Sequence, residues 1–198
     1  MEITFLTSNA RKLSVANEVL SAYGIRAKRR PFDFREIQEI SVEKVALDKA
    51  RQAARIVKGD FIVSDDGLYI KSLGGFPGAL LKPCMNALGD AKLALLVGKG
   101  MERGAEFVNC IVFYDSGRRR FTAFSTVTRG RIARKPKGTR ETGWSIERIF
   151  MPEGYGKTIA EFDEAEWRPF WEEMKARLPY AKLGKRLSAG MKKRTSSR

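Results

Sequence analysis

The run Thr7-Ser8-Asn9-Ala10-Arg11-Lys12 follows an alternating apolar stretch, residues 1–6, and leads into a helical pattern. A turn placed there gathers free backbone amides at the positive end of a helix, and with hydroxyls and a lysine it suits phosphate oxygens. The same residue types also serve as plain helix caps. A second group is acidic. Asp65 and Asp66 follow Phe61-Ile62-Val63 and precede Gly67, and Glu36 lies in the connection Arg35-Glu36-Ile37-Gln38-Glu39. Carboxylates from separate connections can share a Mg²⁺, an ion that prefers hard oxygens and substrate phosphates. The competing reading is a simple turn and a solvated glutamate. Gly74-Gly75-Phe76-Pro77-Gly78 offers close backbone approach or only a turn. In Gly143-Trp144-Ser145-Ile146-Glu147 an aromatic can stack on a base while an acid reads its edge, or the segment is a core strand.

Composition narrows the chemistry. The chain has no histidine, so Ser-His-Asp and Cys-His pairs cannot be built, and the usual zinc sites are disfavoured. Catalysis must run through carboxylates, lysines, backbone amides or a hard metal. The two cysteines, Cys84 and Cys110, allow one disulfide but do not form a secreted scaffold, which points to a reduced, cytoplasmic setting. No stretch is long and apolar enough to span a membrane. The net charge of +15 suits an anionic ligand, but residues 182–198 carry seven Lys or Arg and no acid. That tail reads first as a solvated surface, with nucleic-acid binding as the alternative.

The elements that must position these groups follow from periodicity. Residues 1–6 read as a strand, 12–23 as a helix ended by Gly24, and 25–28 as a second strand. Ser41 caps a helix with Val42, Val45, Ala46, Ala50, Ala53 and Val57 inward, and a short strand, 61–63, follows. This alternation predicts an α/β sheet. A helix over 90–97, a hairpin of 105–114 with 121–128, and a helix over 163–178 interrupted by Pro169 complete the set. One domain over residues 1–180 is expected, with 181–198 a basic, partly disordered tail.

Taken in order, these segments resemble the inosine triphosphate pyrophosphatase family over about residues 1–176. Thr7-Ser8-Asn9-Ala10-Arg11-Lys12 resembles that family's Thr-Gly-Asn-x-x-Lys, and Glu36-Ile37-Gln38 its archaeal Glu-Ile-Gln. Lys49-Ala50-Arg51-Gln52-Ala53 matches a Lys-Ala-x-x-Ala helix. Asp65-Asp66-Gly67-Leu68 resembles Asp-Ser-Gly-Leu, and Leu73-Gly74-Gly75-Phe76-Pro77-Gly78 follows it. Trp144-Ser145-Ile146-Glu147-Arg148-Ile149-Phe150 is similar to Phe-Gly-Tyr-Asp-Pro-Ile-Phe, and Lys157-Thr158-Ile159-Ala160-Glu161 to Lys-Thr-x-Ala-Glu.

The resemblance implies an elongated mixed β-sheet flanked by helices, two lobes around a central cleft, and a homodimer. It implies Mg²⁺-dependent hydrolysis of purine nucleoside triphosphates such as ITP, dITP and XTP to a monophosphate and pyrophosphate. Asp65 and Lys49 would be catalytic, and Glu36 and Asp65 the metal ligands. Thr7, Ser8, Asn9, Lys12, Asp66, Trp144 and Glu147 would bind substrate. This chain departs from the family at Asp66, where the family has serine, and at Glu147, where it has aspartate. The family also reads the purine edge with a lysine and a later Ser-His-Arg. An ungapped count puts Trp167 and Trp171-Glu172-Glu173 in those places, and a shifted one Lys182 or Lys185. Base choice is therefore expected to differ. The alternatives are a nucleotide- or nucleic-acid-binding protein with weakened catalysis, and an enzyme acting on another pyrophosphate-containing nucleotide.

Overall fold

The computed structural model describes residues 1–143 and 145–195, the last five by backbone alone. In order, the elements are β1 (Glu2–Leu6), α1 (Ala10–Leu20), β2 (Arg26–Arg30), α2 (Val42–Ala54), β3 (Phe61–Ile70), β4 (Pro77–Gly78) and α3 (Leu81–Leu96). Then come β5 (Gly104–Asp115), β6 (Arg120–Ile132), β7 (Phe150–Pro152), α4 (Glu164–Arg177) and α5 (Pro179–Thr195). The strands form a single mixed sheet in the order β2-β1-β3-β5-β6-β7, with β4 also on β3. The first three strands are parallel and the rest join antiparallel.

Alternation along the strands sorts side chains between two faces. Ile62, with Ile3, Phe5, Ile111 and Phe113, packs under α1 and α5. Phe61 and Val63, with Leu6, Cys110 and Val112, pack under α2. A separate core at the far end joins Leu68, Ile70 and Phe107 to α3, β7 and α4. Edge strand β2 exposes Arg26, Lys28, Arg29 and Arg30, charges that discourage pairing with another chain.

Local signals explain most boundaries. Asn9 caps α1 by accepting from the amides of Arg11 and Lys12, and a 3-10 turn, Ser21–Tyr23, closes it at left-handed Gly24. Ser41 caps α2, and the Tyr69 hydroxyl fixes that start from the sheet. It donates to Ile40 O at 2.8 Å and accepts from Val42 N at 2.8 Å.

Four expectations are corrected. The strand expected over 61–63 runs through Ile70, because β5 pairs with all ten residues from Phe61 to Ile70, so Asp65 and Asp66 lie inside a strand and not at its end. The helix expected from 90 starts at Leu81, with Gly89 a non-helical break inside it. Pro169 does not interrupt α4. The boundary expected at residue 180 falls within α5, which is helical to Thr195 and buries Ala181 and Leu183.

Candidate active site

β5 covers one edge of β3 along its whole length. On the other edge β1 pairs only with Phe61 and Ile62, and β4 only with Leu68 and Tyr69. Residues 63–67 therefore face a gap beyond the carboxyl end of β1, the kind of place where α/β sheets bind ligands. A cavity of about 400 Å³ opens there.

Each face of the sheet sends one lysine to this gap. On α2, Lys49 lies on the buried stripe with Val42, Val45, Ala46 and Ala53. Its Nζ stands 2.8 Å from Glu36 Oε1 and 3.3 Å from Asp65 Oδ1, with the ring of Phe34 at 6.0 Å. From α1, Lys12 Nζ reaches Asp66 Oδ2 at 2.9 Å. Asp65 and Asp66 are neighbours in a strand, so they point to opposite faces and meet different lysines. Burial raises the pKa of Asp65 above its ordinary value despite the opposing pull of Lys49 and Lys12. The Lys49 hydrogen bond holds Glu36 below its ordinary value. Burial works against the charge on Lys12, but Asp66, Asp65 and Glu36 outweigh it and its pKa rises. The result is a proton-accepting carboxylate beside two ammonium groups, a combination suited to general-base chemistry on an anionic substrate.

Thr7, Ser8 and Asn9 line the same cavity. Thr7 Oγ1 accepts from Asn9 N at 3.1 Å, and Asn9 Oδ1 is occupied by the amides of Arg11 and Lys12 at 2.9 and 3.2 Å. The capping reading of this turn is thus realised, with the Asn9 carbonyl taken up by the helix start.

Glu147, expected at the substrate, is not among the residues lining the cavity, and its Oε2 is buried without a hydrogen-bond partner among the described residues. It is buried, and its Oε1 accepts from Thr142 N at 2.9 Å and Gly143 N at 3.1 Å. The cavity wall here is made by Gly143, Ser145 and Arg11 instead. A methyl group on Gly143 would stand 2.7 Å from Arg11 Cδ, so the glycine makes room for the arginine. Trp144, the expected stacking residue, lies outside the described residues.

The wall near α4 and α5 comes from Trp171, Leu178, Pro179 and Tyr180. Lys182 does not line the cavity, and its Nζ donates to Ser125 O at 2.6 Å. Glu172 pairs with Lys175, and Glu173 with Arg177. Sequence reasoning missed Asn109, Lys82 and Tyr180, all on the cavity. The signal for Asn109 was its place opposite Asp66, which only the strand register reveals.

No group of three or more His, Cys, Asp or Glu side chains gathers as a metal cluster among the described residues. Glu36 and Asp65 nonetheless converge on one cation, the Lys49 ammonium. Two carboxylates with room for phosphate oxygens is the donor set Mg²⁺ favours.

The model of the Ham1 family matches residues 3–176. A dITP/XTP pyrophosphatase of Methanopyrus kandleri is 36% identical over 166 residues, covering 84% of this chain and 87% of that one. An inosine triphosphate pyrophosphatase of Neurospora crassa is 36% identical over 165 residues, 83% of this chain and 82% of that one. Among solved structures, a nucleoside-triphosphatase / dITP/XTP pyrophosphatase from Mycobacterium abscessus superposes with a TM-score of 0.73 at 24% identity, covering 89% of this chain and 96% of that one. A HAM1 protein from Coxiella burnetii gives 0.71 at 24%, covering 98% and 99%. These two likenesses bear on the fold.

Proposed function

The chain belongs to the Ham1 family, and from that membership and the chemistry of the cleft we propose that it is a nucleoside triphosphate pyrophosphatase, releasing pyrophosphate and a nucleoside monophosphate. The observation that carries the reading is the convergence of Lys12, Lys49, Glu36 and Asp65 on one gap in the sheet. Lys12 and Lys49 would neutralise the phosphate chain. Asp65, whose burial favours proton uptake, would accept the proton of the water attacking the α-phosphorus. Glu36 and Asp65 would hold Mg²⁺, which when bound supplies charge neutralisation on phosphate oxygens and lowers the pKa of water.

The base end would meet the apolar and aromatic wall of Trp171, Leu178 and Tyr180, with Arg11 as the nearby donor and Trp144 as a stacking residue. In this reading base preference departs from that of a pocket lined by lysine, histidine and arginine. A homodimer is part of the same reading, and Leu95, Leu96 and Met101 offer exposed apolar surface to it. So is a cytoplasmic setting, with which two free thiols agree. Among the described residues no helix is long and apolar enough to cross a membrane.

The test is pyrophosphate release from ITP, dITP, XTP and the standard nucleotides, with Mg²⁺ and with EDTA, for wild type and Asp65→Asn. Metal-dependent release falling at least about 100-fold in the variant is the expected result. Folded protein that turns over no nucleotide would overturn the enzyme assignment. Steeply salt-dependent binding to nucleic acid without turnover would favour a binding protein instead.

A further inference from the structure

Asp66 follows Asp65 in β3, and the structure accounts for both of its oxygens. The β3–β5 register sets Asp66 directly opposite Asn109, so the two side chains leave the sheet on the same face. Asn109 Nδ2 donates to Asp66 Oδ1 at 2.9 Å, and Lys12 Nζ lies 2.9 Å from Asp66 Oδ2. A carboxylate only accepts, so the amide must present its NH₂ group to it. That orientation leaves Asn109 Oδ1 buried without a partner, a cost the amide bears in order to brace Asp66. Asp65, by contrast, turns to the opposite face and to Lys49. The two adjacent aspartates therefore do not form one clamp.

We propose that Asp66 is a positioning residue, the fixed counter-ion of Lys12, braced by Asn109. It holds the ammonium in the cleft and tempers that ammonium's grip on phosphate groups, so that pyrophosphate can leave. For its ligand class this rests on the pyrophosphatase reading above. Any phosphate that shares the Lys12 ammonium must approach a carboxylate already in contact with it, and like charges that close repel. Lys12 and Asp66 are each about a quarter exposed at the side chain, 26% and 27%, so a ligand in the cleft reaches both.

The experiment is direct binding of inorganic pyrophosphate by calorimetry, at fixed Mg²⁺ and again in EDTA. It compares wild type, Asp66→Asn, Asp66→Ser, Lys12→Ala and the double variants. Both Asp66 substitutions should tighten pyrophosphate binding about tenfold, and the gain should vanish in the Lys12→Ala background, the signature of coupling through that lysine. In turnover, KM and kcat should fall together as product release slows, while the Mg²⁺ concentration for half-maximal rate stays put. Unchanged or weaker binding in the folded variants would overturn the proposal, as would a gain that survives loss of Lys12. A shifted Mg²⁺ requirement would make Asp66 a metal ligand and equally overturn it. Binding is read without turnover, so a wild type that hydrolyses nothing would sink the pyrophosphatase reading and leave a Lys12-dependent gain intact.

Discussion

Lys49 sits on the apolar stripe of α2, and two carboxylates meet its ammonium there. A buried charge persists only when paired, and here both partners stand on the cleft. The cysteines show what burial does without such partners. Burial, with the charges of Glu43, Asp65 and Asp66, pushes the Cys110 thiol up to about 11 against an opposing hydrogen bond with Ser125, and burial also raises Cys84. Cys110 has no exposed surface and Cys84 only 7%. Neither should react with a thiol reagent at pH 8 while the protein is folded, and both should react in denaturant. A native thiol that reacts within seconds would mean that the β3–β5 core opens readily. The sequence singles out Lys12, Glu36, Asp65 and, through the family resemblance, Lys49, and the structure brings all four to one cavity. The sequence could not reveal that one oxygen of Glu147 is taken by the Thr142 and Gly143 amides, a matter of local loop geometry, nor that Asn109 faces Asp66, which depends on the β3–β5 register.

Between elements, the strap joining β7 to α4 depends on a capping box. Thr158, fully buried, donates its amide to Glu161 Oε2 at 2.8 Å, and its hydroxyl lies 3.0 Å from the same oxygen. The amide and hydroxyl of Thr158 hold the Glu161 pKa below its ordinary value, with burial opposing. A depressed carboxylate stabilises the fold above its unfolded-state pKa and loses that contribution as pH falls through the folded one. Glu161→Gln should therefore cost about 1 kcal/mol near neutral pH, and the difference from wild type should shrink on acidification below the ordinary glutamate range. Denaturant titrations at pH 7 and pH 3 would check this; a constant difference would count against it. Elements with local signals were legible, as α2 shows with Ser41 before its apolar stripe. β3 was not, because Ser64-Asp65-Asp66-Gly67 has turn composition and takes strand form only through pairing with β5. Gly89 hid the first turns of α3 by breaking the helical pattern.

For the molecule as a whole, the C-terminal helix decides whether the cleft has a wall. Tyr180 sits edge-on to Phe5 with ring centroids 6.0 Å apart, Leu183 is fully buried, and Gly184 lies against the ring of Tyr23. A basic run with few apolar residues reads as a tail, yet Tyr180, Leu183, Gly184 and Leu187 recur at helical spacing and dock on α1. A chain stopped after residue 180 loses the buried Ala181 and Leu183 and leaves Tyr180 with no helix to hold it. That truncation should cost about 3–5 kcal/mol, the scale of a large core deletion, and lower the melting temperature by about 10 °C or more. A chain stopped after residue 190 keeps those contacts while shedding four basic residues and no acid. It should melt within about 0.5 kcal/mol of the full chain and keep its turnover. Equal melting of the two truncations would show that α5 contributes little to the fold. Loss of turnover only in the shorter chain, at a temperature where it remains folded, would place the α5 wall in substrate binding.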